Sequence, residues 1–205
     1  MEQGLTSYLA YAIFVVISIT TPGPNNIMTL HSGARYGIPR TIPMILGIQF
    51  GFAVMMTVIA LGSTVILTQI ENAANVLRVL CFAYLLYLAW RIGTASAPTL
   101  NETEHGDGRP IGMLEAALFQ WVNPKAWAVA VAAVGTYSFL FADTVSTILG
   151  FSGIFLLIGL PSSFLWASGG RLIAGILTSP ERYRVFSITA AILMVAAVIP
   201  PLFSI

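Results

Sequence analysis

Residues Val15–Leu30 read VVISITTPGPNNIMTL. Two prolines and a glycine interrupt a run that is otherwise apolar enough to cross a membrane. Proline lacks an amide donor and its ring collides with the preceding turn, so Pro22 and Pro24 are expected to release the carbonyls of Ser18 and Thr20. In lipid an unsatisfied backbone group costs several kcal/mol, and broken backbone persists only inside protein or beside a hydrated cavity. A half-helix that restarts after the break offers free N–H groups and the positive end of its dipole, with Asn25 and Asn26 as candidate N-caps. The stretch reads as a membrane helix opened around a central site.

Composition agrees with a lipid solvent. Of 205 residues, 57% are apolar and 8% charged, where a soluble domain carries roughly a quarter charged residues. A net charge of +1 gives no reason to expect a nucleic-acid partner. The single cysteine, Cys81, excludes an internal disulfide and a CxxC metal or redox site. The N-terminal MEQGLTSY carries an acid and no Lys or Arg, so the first segment is expected to stay as a span rather than be cleaved.

Six apolar segments are long enough for the roughly 20 residues that cross a hydrocarbon core: Leu5–Leu30, Ile42–Thr68, Ala74–Gly93, Gly112–Ser138, Val145–Ala167 and Val185–Phe203. The polar stretch TASAPTLNETEHGDGRPIG (94–112) divides them three and three. The expected fold is an all-α membrane protein of one transmembrane domain, 1–205. It comprises a first three-helix repeat (1–94), a cytoplasmic loop (95–111) and a second three-helix repeat (112–205). Arg35, Arg40, Arg91, Arg109, Arg171, Arg182 and Arg184 fall on odd-numbered connections, against Arg78 alone on the other side. Positive residues stay cytoplasmic, so both termini are expected outside. An odd number of spans per half makes the second half run inverted, as in many transporters.

The counterpart of the first break is WVNPKAW (121–127) in the fourth span. Pro124 is expected to free the carbonyl of Gln120 and to suit the first position of a new helix, capped by Asn123. Helices 1 and 4 are thus both interrupted, and their two starts are expected to face one centre suited to a carboxylate. Lys125 sits near the middle of its span, where a charge costs at least ~2.5 kcal/mol; it can hold a substrate carboxylate or carry a proton. Gln49, polar in an apolar stretch, is a candidate partner for a freed carbonyl. The candidate substrate-binding or coupling set is therefore Pro22, Gly23, Pro24, Asn25, Asn26, Gln49, Gln120, Asn123, Pro124 and Lys125, with no cofactor and no metal. Gly47 and Gly51 form GIQFG, a close-packing motif. Packing against the broken first span and a homodimer contact both stay open. Glu115 and Asp143 are expected at interfaces, His31 and His105 in connections, Trp90 as an interface anchor, and Trp121 and Trp127 packed around the second break.

TPGPNNIMTLHSGARYG, MILGIQFGF, AYLLYLAWRI and FQWVNPKAW together resemble the lysine-exporter (LysE/RhtB) superfamily of amino-acid exporters, in order and over essentially the whole chain. Within it the likeness is greatest to the cysteine/O-acetylserine efflux group, through TPGPNN and the Gly51–Phe52 pair. The resemblance implies proton-driven export in a bacterial inner membrane. The motif residues carry over onto Pro22, Gly23, Pro24, Asn25 and Asn26, and onto Asn123, Pro124 and Lys125. Many relatives carry Asp where Phe52 stands, so an acidic proton carrier is not expected there. With no Asp or Glu deep in a span, small neutral amino acids such as cysteine, O-acetylserine or homoserine and threonine are the expected substrates, and protons and lipid the other partners. A passive channel or an exporter of another small metabolite is the alternative. An intramembrane enzyme would need paired Asp, Ser with His, or HExxH at depth, and none is present.

Overall fold

The computed structural model describes residues 2–63, 71–95 and 109–197, with side chains for 6–61, 82–95 and 109–197. Arg78, Cys81, His105 and most of the 95–111 loop lie outside the described side chains. Among the described residues there are seven α-helices and no strand. They are α1 (Glu2–Thr20), α2 (Pro24–Val58), α3 (Glu71–Gly93), α4 (Met113–Phe119), α5 (Pro124–Tyr137), α6 (Thr144–Ala174) and α7 (Pro180–Ala196). A 3-10 turn, Gln120–Val122, joins α4 to α5. Outward faces are apolar: Leu9, Ile13 and Ile17 recur at helical spacing on α1 and are each more than half exposed, as are Leu157 and Leu165 on α6. Apolar stripes of that extent need lipid or a partner to cover them.

α2 is two helices joined at one residue. Gly37 has φ 76 and ψ 171, the single positive φ among the described residues. Ser32 Oγ and Thr41 Oγ1 lie 2.9 Å apart, whereas nine residues of continuous helix rise about 13 Å. The chain therefore doubles back at Gly37, where only glycine adopts the backbone without strain. Thr41 Oγ1 donates to the Gly37 carbonyl at 2.8 Å and steadies the turn. The connection expected around Arg35 and Arg40 shrinks to this one residue. His31 is accordingly no loop residue. It is buried in the first arm (24–36), its Nε2 lies 3.2 Å from Ser187 Oγ and its ring stacks on Phe186.

Among the described residues two helical runs pass as long and apolar enough to cross a membrane, Pro24–Leu61 and Thr144–Ala174. The first of these contains the Gly37 turn. The expected first and fourth spans are each divided, at 21–23 and at 120–123, so neither contributes one long helix. Residues 64–70 and 198–205, at the ends of the second and sixth, lie outside the described part.

Two apolar cores lie along the second arm of α2 (38–58) and the π-helical turn Ile59–Ser63 that follows it. Met44 and Ile48 join Leu85, Leu88, Phe119 and Met194 in one. Met55, Met56 and Ile59 join Tyr11, Val15, Phe151 and Phe155 in the other. Gln49 falls between them. Glycines bring the helices this close. A Cβ on Gly47 would run into the Met113 carbonyl, and one on Gly51 would lie 2.5 Å from the carbonyl of Ala117. The partner of GIQFG is thus α4, not the first span, and the motif is occupied within the chain rather than offered to a second copy. Gly33 and Gly170 meet the backbones of Ala167 and Leu30 in the same way, locking the first arm of α2 to α6.

Glu115 and Asp143 sit at helix starts. Glu115 pairs with Arg91 at 2.6 Å and reaches Arg109 at 3.7 Å. Asp143 caps α6 in a reciprocal box with Ser146, and these backbone hydrogen bonds lower its carboxyl below the usual range. Trp90 is exposed beside Arg91, and the rings of Trp121 and Trp127 meet edge-on across the second break. Overpacking a tight contact costs about 1–3 kcal/mol. Gly47→Val and Gly51→Val should therefore each lower the melting temperature in detergent by several degrees. Gly153→Ala, with nothing within 4 Å of the added carbon, should leave it unchanged.

Candidate functional site

α1 ends at Thr20, and Gly23 rather than an asparagine is the N-cap of α2. Pro24 takes the first helical position, so Asn25 and Asn26 fall in the first turn and their amides face other duties. Asn26 Nδ2 turns back and donates to the carbonyls of Ile19, at 2.7 Å, and Thr21, at 3.0 Å. The last backbone bond of α1 runs from Thr21 N–H to Ile17 O, immediately before Pro22.

The second break has the same plan. Asn123 caps α5, its side chain accepting from Lys125 N–H at 3.2 Å, and Pro124 is the first helical residue. The Gln120 carbonyl is not left open; it accepts from Asn123 N–H at 3.3 Å in the 3-10 turn. A short turn satisfies what an interrupted α-helix would have exposed.

Three amides stitch the breaks together. Asn25 and Gln120 form a reciprocal pair, at 2.8 and 3.1 Å, and Asn123 Nδ2 donates to Asn25 Oδ1 at 3.3 Å. Gln120 and Asn123 are fully or almost fully buried. Lys125 crosses from α5 to the end of α1, where Nζ donates to Thr21 O at 2.8 Å and Pro22 O at 3.3 Å. A cation there also meets the negative end of the α1 dipole. The ammonium has three donors, and two are directed at these carbonyls. The Lys125 side chain runs over Gly23, where a Cβ would lie 2.7 Å from its Cδ and 2.9 Å from Nζ. The φ of Gly23, −168°, is ordinary extended backbone.

A cavity of about 70 Å³ opens beside this junction. On that measure about 10–15 Å³ holds one water, so there is room for several waters or one compact solute. Gly23, Asn25, Asn26, Asn123 and Lys125 form its polar wall. Ile27 N–H is the first in α2 to find an intrahelical acceptor, and Trp127 N–H the first in α5. The backbone N–H groups of Asn25, Asn26 and Ala126 therefore precede both ladders, and all three residues line the cavity. Gln49 also lines it, but its Nε2 donates to Ser163 Oγ at 3.0 Å on α6 rather than to a carbonyl freed by a break. Gly159 leaves the space that the Gln49 amide fills. Phe52 and Phe155, with ring centres 4.9 Å apart, close the apolar side. Phe155, Gly159 and Ser163 escaped sequence reasoning because they sit in an ordinary apolar helix. Small residues around Pro161 were the one available signal.

Two helical starts, at Pro24 and Pro124, meet at a small polar cavity in an apolar bundle, an arrangement found in membrane translocators. Residues 16–199 match the family described as LysE type translocator, and the chain belongs to that family. It is 30% identical over 164 residues to the cysteine/O-acetylserine efflux protein of Salmonella typhimurium, covering 80% of this chain and 82% of the relative. Identity and coverage are the same for the protein of that name from Escherichia coli K12. No solved structure matches the chain.

Asn26 is the test of how the first break is held. Asn26→Asp keeps the shape but replaces the donor with acceptors aimed at two carbonyls. Each orphaned buried group costs about 1–3 kcal/mol, so the variant should unfold in markedly less SDS than the parent. Asn26→Ser should fall between the two.

Proposed function

We propose that this chain exports small neutral amino acids or close derivatives, cysteine and O-acetylserine foremost, across a bacterial inner membrane. The observation that carries the reading is the convergence of the α2 and α5 starts on one cavity beside Lys125. An amino acid entering it brings a carboxylate stripped of much of its water. Backbone N–H groups at Asn25, Asn26 and Ala126 replace that hydration, and the third donor of Lys125 supplies countercharge. The names of the relatives support the substrate class. Among the described residues lining the cavity there is no Asp or Glu, so a cationic side chain such as lysine's finds no partner. The two breaks, each restarting with proline in the first helical position, support a three-plus-three inverted repeat. Proton antiport supplies the drive, and both termini lie in the periplasm.

Counterflow in proteoliposomes tests the site. Lys125→Ala should lose nearly all exchange of cysteine and O-acetylserine, and Lys125→Arg, larger and permanently charged, should retain part of it. Full exchange by the alanine variant would reduce the lysine to a brace for α1. Lysine as the preferred substrate would overturn the charge argument. Orientation is tested separately: alkaline phosphatase fused after Ile205 should be active, and fused within 94–112 inactive.

A further inference from the structure

The lining of the central cavity divides by helix. Gly23, Asn25, Asn26, Asn123 and Lys125 belong to the two breaks, whereas Gln49 and Phe52 come from the second arm of α2 and Phe155, Gly159 and Ser163 from α6. Residues three or four apart share a helix face, so each of these two helices presents one stripe to the cavity. The stripes meet in rungs. Gln49 Nε2 donates to Ser163 Oγ at 3.0 Å. The same amide lies over Gly159, where a Cβ would stand 3.0 Å from its Cδ and Nε2 and nearer still to Oε1. One turn along, the Phe52 and Phe155 ring centres are 4.9 Å apart. This wall is an uncharged amide beside a pair of aromatic rings.

The amides at the breaks are engaged with one another and with the backbone. Gln120 Nε2 donates to Asn25 Oδ1 and to the Ala116 carbonyl, and Asn123 Nδ2 donates to Asn25 Oδ1. The Gln49 amide stands outside that network, on the serine of α6. A primary amide has two N–H donors and a carbonyl acceptor, and the bond to Ser163 uses one donor. The remainder can give a hydrogen bond and accept one, and it carries no charge. Gly159 keeps the amide in this seat, since a Cβ there would displace it.

We propose that this wall is the side-chain subsite of the transport site: the Gln49 amide, braced by Ser163 and seated over Gly159, hydrogen-bonds a neutral polar tip on the substrate side chain, and Phe52 and Phe155 pack against its methylenes. The ligand class is neutral α-amino acids whose short, unbranched side chain ends in a hydroxyl, thiol or ester. This rests on the export reading above and adds the group that selects among neutral amino acids. An apolar tip leaves the remaining donor and acceptor of the amide without partners in a desolvated site. A cationic tip meets no Asp or Glu among the described lining residues.

L-Homoserine and L-norvaline differ by a hydroxyl in place of a methyl group, so their competition against counterflow of radiolabelled O-acetylserine in proteoliposomes reads the tip alone. The wild type should bind homoserine about tenfold more tightly, on the order of one net hydrogen bond. Gln49→Met keeps the length and adapts to the space; it should bring the two inhibition constants together by weakening homoserine. Should that variant fail to reconstitute, Ser163→Ala, which unfastens the amide without removing it, should narrow the preference to roughly threefold. Equal binding of the two competitors by the wild type, or a preference that either variant leaves unchanged, overturns the subsite while the export reading stands. Wild-type vesicles that exchange no neutral amino acid overturn both.

Discussion

Opening a helix inside an apolar bundle strands backbone carbonyls, and every feature near the centre of this protein answers that constraint. Asn26 reaches back to Ile19 and Thr21, and Lys125 reaches across to Thr21 and Pro22. The lysine that looked costly in the middle of a span is stabilised by the negative helix end it caps. That lysine lies directly over Gly23. The residues that repair the backbone, Asn26 and Lys125, also line the cavity.

The placement of the cavity follows from the two cores. The second arm of α2 contributes Met44 and Ile48 to one and Met55 and Met56 to the other. Between them a polar layer of Gln49, Ser163, Asn25, Gln120 and Asn123 is satisfied largely by its own amides. Such a layer is stable only when its groups are paired. The reciprocal amide contact of Asn25 with Gln120 and the bond from Gln49 to Ser163 are therefore as necessary to the fold as either core.

The interrupted helices were legible because proline and asparagine act locally: Pro124 and Asn123 occupy the positions their chemistry favours. Less legible was whatever depended on a partner distant in sequence. Asn25 and Asn26 were read as caps, whereas Gly23 holds that position and the Asn25 amide pairs with Gln120, 95 residues away. His31 was read as a loop residue because the sharp turn at Gly37 makes the expected connection unnecessary. Gln49 was matched to a freed carbonyl, although its acceptor is a serine over a hundred residues away. The glycines of GIQFG announced close approach but not with which helix.

Those glycine contacts also divide the bundle mechanically. Gly33 and Gly170 press the first arm of α2 onto α6, Gly47 and Gly51 press its second arm onto α4, and Gly159 seats Gln49 between α2 and α6. Backbone against backbone leaves little freedom to slide, so α2, α4 and α6 behave as a single rigid slab. α3 and α7 pack chiefly on each other, and where α7 meets the slab Phe186 stacks on His31 of α2. Rotamer changes can lubricate such a seam, whereas the backbone contacts within the slab allow no such adjustment.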